Sequence, residues 1–403
     1  MQPLKLVIHG KYWDSYIYSG TLYLFELDGS ICSLNWDNLI GTWDISEKLR
    51  ISLECAFLRS DYLYSSDVQR LLRDADIKSV VQRKFQRLSQ MSLIITDKLL
   101  KKHCKKRQDN RLLFPHADLE IYNNNLYVGS ASGLVRATCN RKGERYPIST
   151  RPEKRWDGPA LGLSASYNSL AIAAGNEGLL EMELGHGREV NRQSKPIPVC
   201  PQQCRDCGWT YWSVFASSDN SGFLAEYTRD DKRNWRHTTR EFKGTESAEE
   251  IFGSQGYAWG AKEKLCQATQ GAIKVMKYSP YMSEPEETIR HIGDIPLECS
   301  NGGIISASTA NFGVIVELEK AIMVLTSSEH TITLPGEVVN WRVFPRSHHY
   351  ENQLHLVYED RVEILSFNED YLVDQEAKIV GTSFPKPIGR RWSSENDTVE
   401  FVI

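Results

Sequence analysis

The stretch LEIYNNNLYVGSASGLVRATC, residues 119–139, decides the reading of this chain. Short apolar runs alternate with turn residues: a strand, an Asn-rich turn, a second strand, a Ser-Gly turn, a third strand. LSASYNSLAIAAGNEGLLEMEL, residues 163–184, repeats the plan, with the same Tyr-Asn turn and a glycine ahead of its last strand. Looser copies are LYLFELDGSICSLNW (22–36), YWSVFASSDNSGFLAEY (211–227), KLCQATQGAIKVMKY (264–278), GVIVELEKAIMVLTS (313–327) and LHLVYEDRVEILSF (354–367). Anchored on the second turn, at Gly29, Gly133, Gly178, Gly222, Gly271, Lys320 and Arg361, the copies are spaced by 104, 45, 44, 49, 49 and 41 residues.

Each copy supplies three strands, and the variable segment behind it can supply a fourth. A lone unit of this kind cannot bury both faces. Seven packed radially cover one another and leave only short, protected edges. Five of the six intervals fit the blade period of about 40–50 residues. The repeats resemble the β-propeller superfamily, in the manner of its WD40-like and kelch-like chains. The resemblance covers most of the chain and is one of architecture, since no copy ends in Trp-Asp in register and no Gly-His opens the blades. It implies a mainly β chain: a seven-bladed β-propeller whose chain ends pair. KLVIH (5–9), AKIV (377–380) and VEFVI (399–403) are the candidate closing strands. The 104-residue interval is one period plus an insertion of about 59 residues. The expected plan is blade 1 and the start of closure in 1–59, a small α-helical insertion between blades 1 and 2 in 60–111, and the remaining blades with C-terminal closure in 112–403.

Inside the insertion, Val68, Leu71, Leu72 and Ala75 fall at helical spacing, as do Ile77, Val81, Phe85 and Leu88. The two sets point in nearly opposite directions, so a break is expected at Asp74–Asp76, with Asp76 capping the second helix. MSLIIT (91–96) reads as a strand returning to the sheets. KLLKKHCKKRQ (98–108) follows. On a helical wheel Leu99, Leu100, His103 and Cys104 gather on one side, and Lys101, Lys102, Lys105 and Lys106 on the other. From Arg70 to Arg111 there are 13 basic and 4 acidic residues, in a chain of net charge −4. Like charges at helical spacing repel, and an anionic partner would offset that cost. Lys98, Lys101, Lys102, Lys105, Lys106 and Arg107 are therefore the candidate partner- and anion-binding residues. An acidic protein surface is the first partner expected. Nucleic acid bound through residues 98–107 is the alternative, because a phosphate backbone releases counterions to such a patch. The plain reading beside both is a solvated lysine face that binds nothing.

VCPQQCRDCGWTYW (199–212) sets Cys200, Cys204 and Cys207 in C-x3-C-x2-C spacing. Iron–sulfur enzymes of the radical-SAM class use this spacing, but on a (β/α) barrel and with an aromatic residue where Asp206 stands here. Three thiolates on a tight loop can hold a structural zinc if a fourth ligand, Cys266 or Cys299, comes near. Thiols without a metal, or a Cys204/Cys207 redox pair, are the other readings.

Composition narrows the function further. The chain has 403 residues, is 41% hydrophobic and 25% charged, and has a pI near 6.2. These values fit a globular protein without a general attraction to polyanions or membranes. No apolar run is long enough to span a bilayer, and the opening MQPLKLVIHGKYWD has too short a run for a signal peptide. With nine cysteines, the expectation is a reduced, cytoplasmic protein with no membrane partner. G-x-S-x-G, Walker, G-x-G-x-x-G and H-E-x-x-H patterns are absent. His348-His349 is expected on an exposed loop. The function expected is a non-catalytic interaction, scaffold or regulatory subunit that recruits a protein partner. A nucleic-acid-associated subunit and a propeller enzyme with a channel site are the alternatives.

Overall fold

A computed structural model of the chain describes residues 2–383 apart from 110–111, 142–144, 150, 185–193, 231–238, 270, 283, 298–302, 329 and 375–376. Among the described residues, seven sheets of four or five strands follow one another in sequence order. Sheet 1 orders Tyr12–Tyr18, Thr21–Glu26, Ser30–Asn35 and Cys104–Asp109. Sheets 2 to 6 begin at Asp118–Tyr122, Gly162–Ser166, Asp206–Thr210, Tyr257–Ala261 and Ile304–Ala310, and each proceeds by antiparallel hairpins. Sheet 7 orders Asn340–Val343, Gln353–Val357, Arg361–Ser366 and then Leu4–His9, from the beginning of the chain.

The repeat anchors all fall at the second hairpin of their sheets. Gly133 and Arg361 open third strands, Gly178 and Gly271 directly precede them, and Gly222 lies one residue inside. Gly178 has φ +85, and a Cβ there would strike the Cys200 carbonyl, so no other residue fits. In sheets 1 to 6 the first hairpins turn in two residues. Ser19-Gly20, Asn123-Asn124 and Tyr167-Asn168 have positive φ at both positions, the geometry whose twist matches the flanking strands. Middle strands such as Asn125–Ser130 and Gln353–Val357 are buried along their whole length. Sheets packed on both faces require this, and it explains why the copies read as continuous apolar runs rather than clean alternations. Adjacent sheets share clusters: Leu179, Trp209 and Phe223 between sheets 3 and 4, and Trp259, Ile273 and Val316 between sheets 5 and 6.

Between the third and fourth strands of sheet 1 the chain forms five α-helices: α1 (Trp36–Gly41), α2 (Glu47–Phe57), α3 (Ser66–Leu71), α4 (Ala75–Ser89) and α5 (Asp97–His103). Helix ends leave carbonyls without intrahelical partners. At the end of α2, sheet 7 supplies the donors: Ser366 Oγ to the Ala56 carbonyl (2.8 Å) and Gln353 Nε2 to that of Phe57 (3.0 Å). Trp36 Nε1 also donates to Phe57 (2.7 Å). α4 turns Phe85 and Leu88 into the same core.

Several expectations need correction. The helical segment begins at Trp36, not at 60, and the chain is back in sheet 1 by Cys104, so 60–111 is not its extent. Asp74, not Asp76, caps α4: its carboxylate accepts the N–H groups of Asp76 and Ile77, as only a residue just ahead of the first turn can. The basic helix stops at His103, so Lys105, Lys106 and Arg107 lie on a strand. Of the candidate closing strands, KLVIH is the one that pairs, with Arg361–Ser366. MSLIIT contributes Leu93–Ile95, parallel to it. AKIV forms no strand; instead Val380 packs into the core of sheets 5 and 6, and Lys378 Nζ donates to the Asn311 carbonyl. VEFVI lies outside the described residues.

The pairing of Leu4–His9 carries a testable cost. Leu6, opposite Ile364, is fully buried, whereas Lys5 points outward to Glu363. Leu6→Ala is expected to lose about 2–5 kcal/mol, and Lys5→Ala less than about 0.5 kcal/mol. Urea midpoints at unchanged m value measure both.

Candidate functional site

The first strand of every sheet reaches one cavity of about 190 Å³, whose lining includes Tyr16, Glu120, Ser164, Asp206, Ala261, Ser308 and Arg342, at least one residue from each sheet. Backbones crowd there. A side chain at Gly208 would collide with the Gly260 carbonyl, which accounts for glycine on that strand.

Two arginines at the cavity pair with carboxylates across sheets. Arg342 of sheet 7 donates from Nε and Nη2 to the two Asp14 oxygens of sheet 1 (3.1 and 2.6 Å). Its Nη1 reaches Asp118 Oδ1 and the Leu119 carbonyl of sheet 2 (3.0 Å each). Asp118 in turn accepts the Leu163 N–H of sheet 3 at 2.8 Å. Arg346 binds the Glu120 carboxylate and the Ala165 carbonyl. Burial alone would raise the Asp14 pKa. The Arg342 guanidinium, with His116 at 3.2 Å, overrides it and holds the carboxyl well below the usual range. Burial raises Asp118 and Glu120, and the two arginines offset only part of the rise.

Asp206 differs from these. Burial by the surrounding wall, then the nearby Asp118 carboxylate, push its pKa up to about 6. Its side chain nevertheless meets channel solvent, and that screening keeps the energetic consequence small. It accepts the Cys207 N–H at 2.7 Å, and among the described residues it has no ion-pair partner.

The connection Phe344–Asn352 is longer than the two-residue turns at this position in other sheets, and it lies over the cavity. Tyr350 accepts the Gly20 N–H (2.9 Å), and Ser60 Oγ donates to the His349 carbonyl (3.0 Å). His349 Nδ1 sits 3.0 Å from Asp61. The loop thus joins the cavity to the helical segment. His348 is buried, contrary to the expectation of an exposed pair, because its loop is pressed between them.

The basic stretch lies elsewhere. Leu99, Leu100 and Cys104 pack against the core shared by sheets 1, 2 and 7. Lys98, Lys101, Lys102 and Lys105 are exposed, and among the described residues none has a carboxylate partner. The side chains of Lys106 and Arg107 lie outside the described residues. The helix is shorter than the periodicity predicts because Cys104–Asp109 finds an open edge, pairing with Ser30–Leu34.

Cys200, Cys204 and Cys207 are not assembled as ligands. Cys200 ends a strand of sheet 3, Cys204 bridges to Gly175, Cys207 lies on the first strand of sheet 4, and all three are buried in the core between those sheets. Burial pushes the Cys204 thiol up to about 12 and that of Cys207 well above its ordinary value. Among the described residues no three His, Cys, Asp or Glu side chains form a metal-binding group. Cys266 is buried between sheets 5 and 6, and Cys299 lies outside the described residues.

No family model and no curated protein matches the sequence. Among solved structures, the Myceliophteria thermophila Cps50 (Swd1) β-propeller domain aligns at TM-score 0.50 with 9% identity, over 90% of this chain and 99% of that one. The fold is a β-propeller. The Neurospora crassa Pan2 WD40 domain is also similar, at TM-score 0.41 and 10% identity over 89% and 90% of the two chains. At such identities the likeness concerns fold. Within the propeller, Arg342, Arg346 and Asp14 escaped the sequence reading. One signal was available: Asp118 and Asp206 each open a first strand, two repeats apart.

Two outcomes are expected of the channel charges. Arg342→Met strands two carboxylates and costs about 3–5 kcal/mol at neutral pH. Because the folded Asp14 pKa is depressed, its contribution is present above pH 4 and is lost as pH falls. The deficit of Arg342→Met should therefore shrink in acid. For Asp206 the sign is opposite: a raised pKa favours folding below about pH 4, and that contribution is lost as pH rises through 6. Asp206→Asn should be as stable as wild type at pH 4 and more stable at pH 7.5, measured by urea unfolding at both.

Proposed function

We propose that this chain is a seven-bladed propeller that serves as a non-catalytic interaction module. Blade 7 is completed by Leu4–His9, and the helical segment projects from blade 1 between its third and fourth strands. The basic stretch from Lys98 to Arg107 docks an acidic protein surface. One observation carries the reading: Lys98, Lys101, Lys102 and Lys105 are exposed, without carboxylate partners among the described residues, on a stretch whose apolar side is fixed to the core. Held this way, the lysines are presented without the ordering cost a free tail would pay on binding.

The test is capture of the partner from a nuclease-treated host extract across a salt series, by wild type and by a Lys98→Glu/Lys101→Glu/Lys102→Glu/Lys105→Glu variant. Capture by wild type should weaken with salt and fall at least tenfold in the variant. The variant should unfold within a few degrees of wild type, since these are surface changes. Equal capture at every salt concentration overturns the reading. Capture abolished by nuclease alone transfers the stretch to nucleic acid.

A further inference from the structure

The fourth strand of sheet 1 runs antiparallel to the third in the register Cys32↔Arg107, Ser33↔Lys106 and Leu34↔Cys104. Lys105 is the extra residue, absorbed where the register shifts between Ser33 and Leu34. Cys32 and Cys104 therefore come diagonally opposite each other. Their Sγ atoms are 3.1 Å apart, about 1 Å beyond a covalent S–S bond. Cys104 is half-exposed at the end of α5, while Cys32 is 8% exposed beneath it. Cys104 thus differs from Cys204, Cys207 and Cys266, which are sealed in cores with raised thiol pKa values.

We propose that Cys32 and Cys104 form a reversible disulfide site, closed by exchange with a small oxidised thiol such as glutathione disulfide. The Cys104 thiolate is the accessible nucleophile and attacks one sulfur of glutathione disulfide. A mixed disulfide forms on Cys104, and the other glutathione leaves as its thiolate. The Cys32 thiolate then attacks the Cys104 sulfur, breaks the mixed bond and releases the second glutathione. The protein gives up two electrons and two thiol protons, and the reagent becomes two glutathione thiols. The bond joins residues 72 apart and closes a loop containing α1 to α5. It ties the end of α5 and the start of the fourth strand to the body of sheet 1. The site rests on sulfur geometry alone and stands whether or not the neighbouring lysines dock a partner.

The full chain should be equilibrated with defined ratios of glutathione to glutathione disulfide, quenched, alkylated in denaturant and mapped by peptide mass. Two of the nine cysteines should escape alkylation, joined in one Cys32–Cys104 crosslink that reductant removes. Oxidation should raise Tm by at least about 2 °C, as expected for a constrained loop. In Cys32→Ser the reagent should stop as a glutathione adduct on Cys104 with no rise in Tm. Full alkylation of both cysteines in wild type overturns the proposal. So does a persistent glutathione adduct on wild-type Cys104, or a crosslink from either residue to another cysteine. The wild-type map decides the matter even if a variant folds poorly.

Discussion

The first strand of the chain lies in its last sheet, and the architecture follows from that pairing. Leu4–His9 meets Arg361–Ser366 residue for residue, so sheet 7 is incomplete until both are in place. The pairing also sets sheet 7 beside sheet 1, which allows one guanidinium to reach Asp14 and Asp118 together. Neither contact is local in sequence. Chain closure over such distances is slow to find, because its entropy is spent before the contacts return anything. The local hairpins, by contrast, can form early, and their left-handed turns fix strand register before sheets meet.

That division explains what could be read from the sequence. Turn chemistry is local and repeats, so the hairpins carrying Gly133, Gly178, Gly222 and Gly271 were visible. The closing strand was visible as one of three candidates, since KLVIH, AKIV and VEFVI are alike as isolated strings. The lysine-rich stretch misled because helical periodicity describes it well through His103, and nothing local marks the change to strand at Cys104. An edge left open by Ser30–Asn35 decides that change, and only the tertiary fold supplies the edge. Helices α1 and α2 were missed for a related reason: their apolar residues continue the first repeat without a break.

The candidate sites divide along the same line. Exposed lysines can be listed from sequence because charge in a short run needs no fold to interpret. The channel could not be. Arg342, Asp14 and Asp118 are far apart in the chain, and each alone looks like an ordinary surface charge. The cysteines show the opposite hazard. C-x3-C-x2-C spacing suggests convergence, yet two strands and a bridge place the three thiols along a packed interface, while the pair whose sulfurs meet, Cys32 and Cys104, shares no motif at all.

The helices are attached to the propeller at more than their two chain connections. The last carbonyls of α2 are satisfied by Ser366 and Gln353 of sheet 7. Asp61 and Ser60 hold the Phe344–Asn352 loop over the channel. Removing the helices would leave buried donors on sheet 7 without acceptors and the loop without its footing. The segment is therefore not a detachable appendage. It belongs to the same cooperative unit as the blades it touches, and local opening of α2 is coupled to that of the first and last sheets.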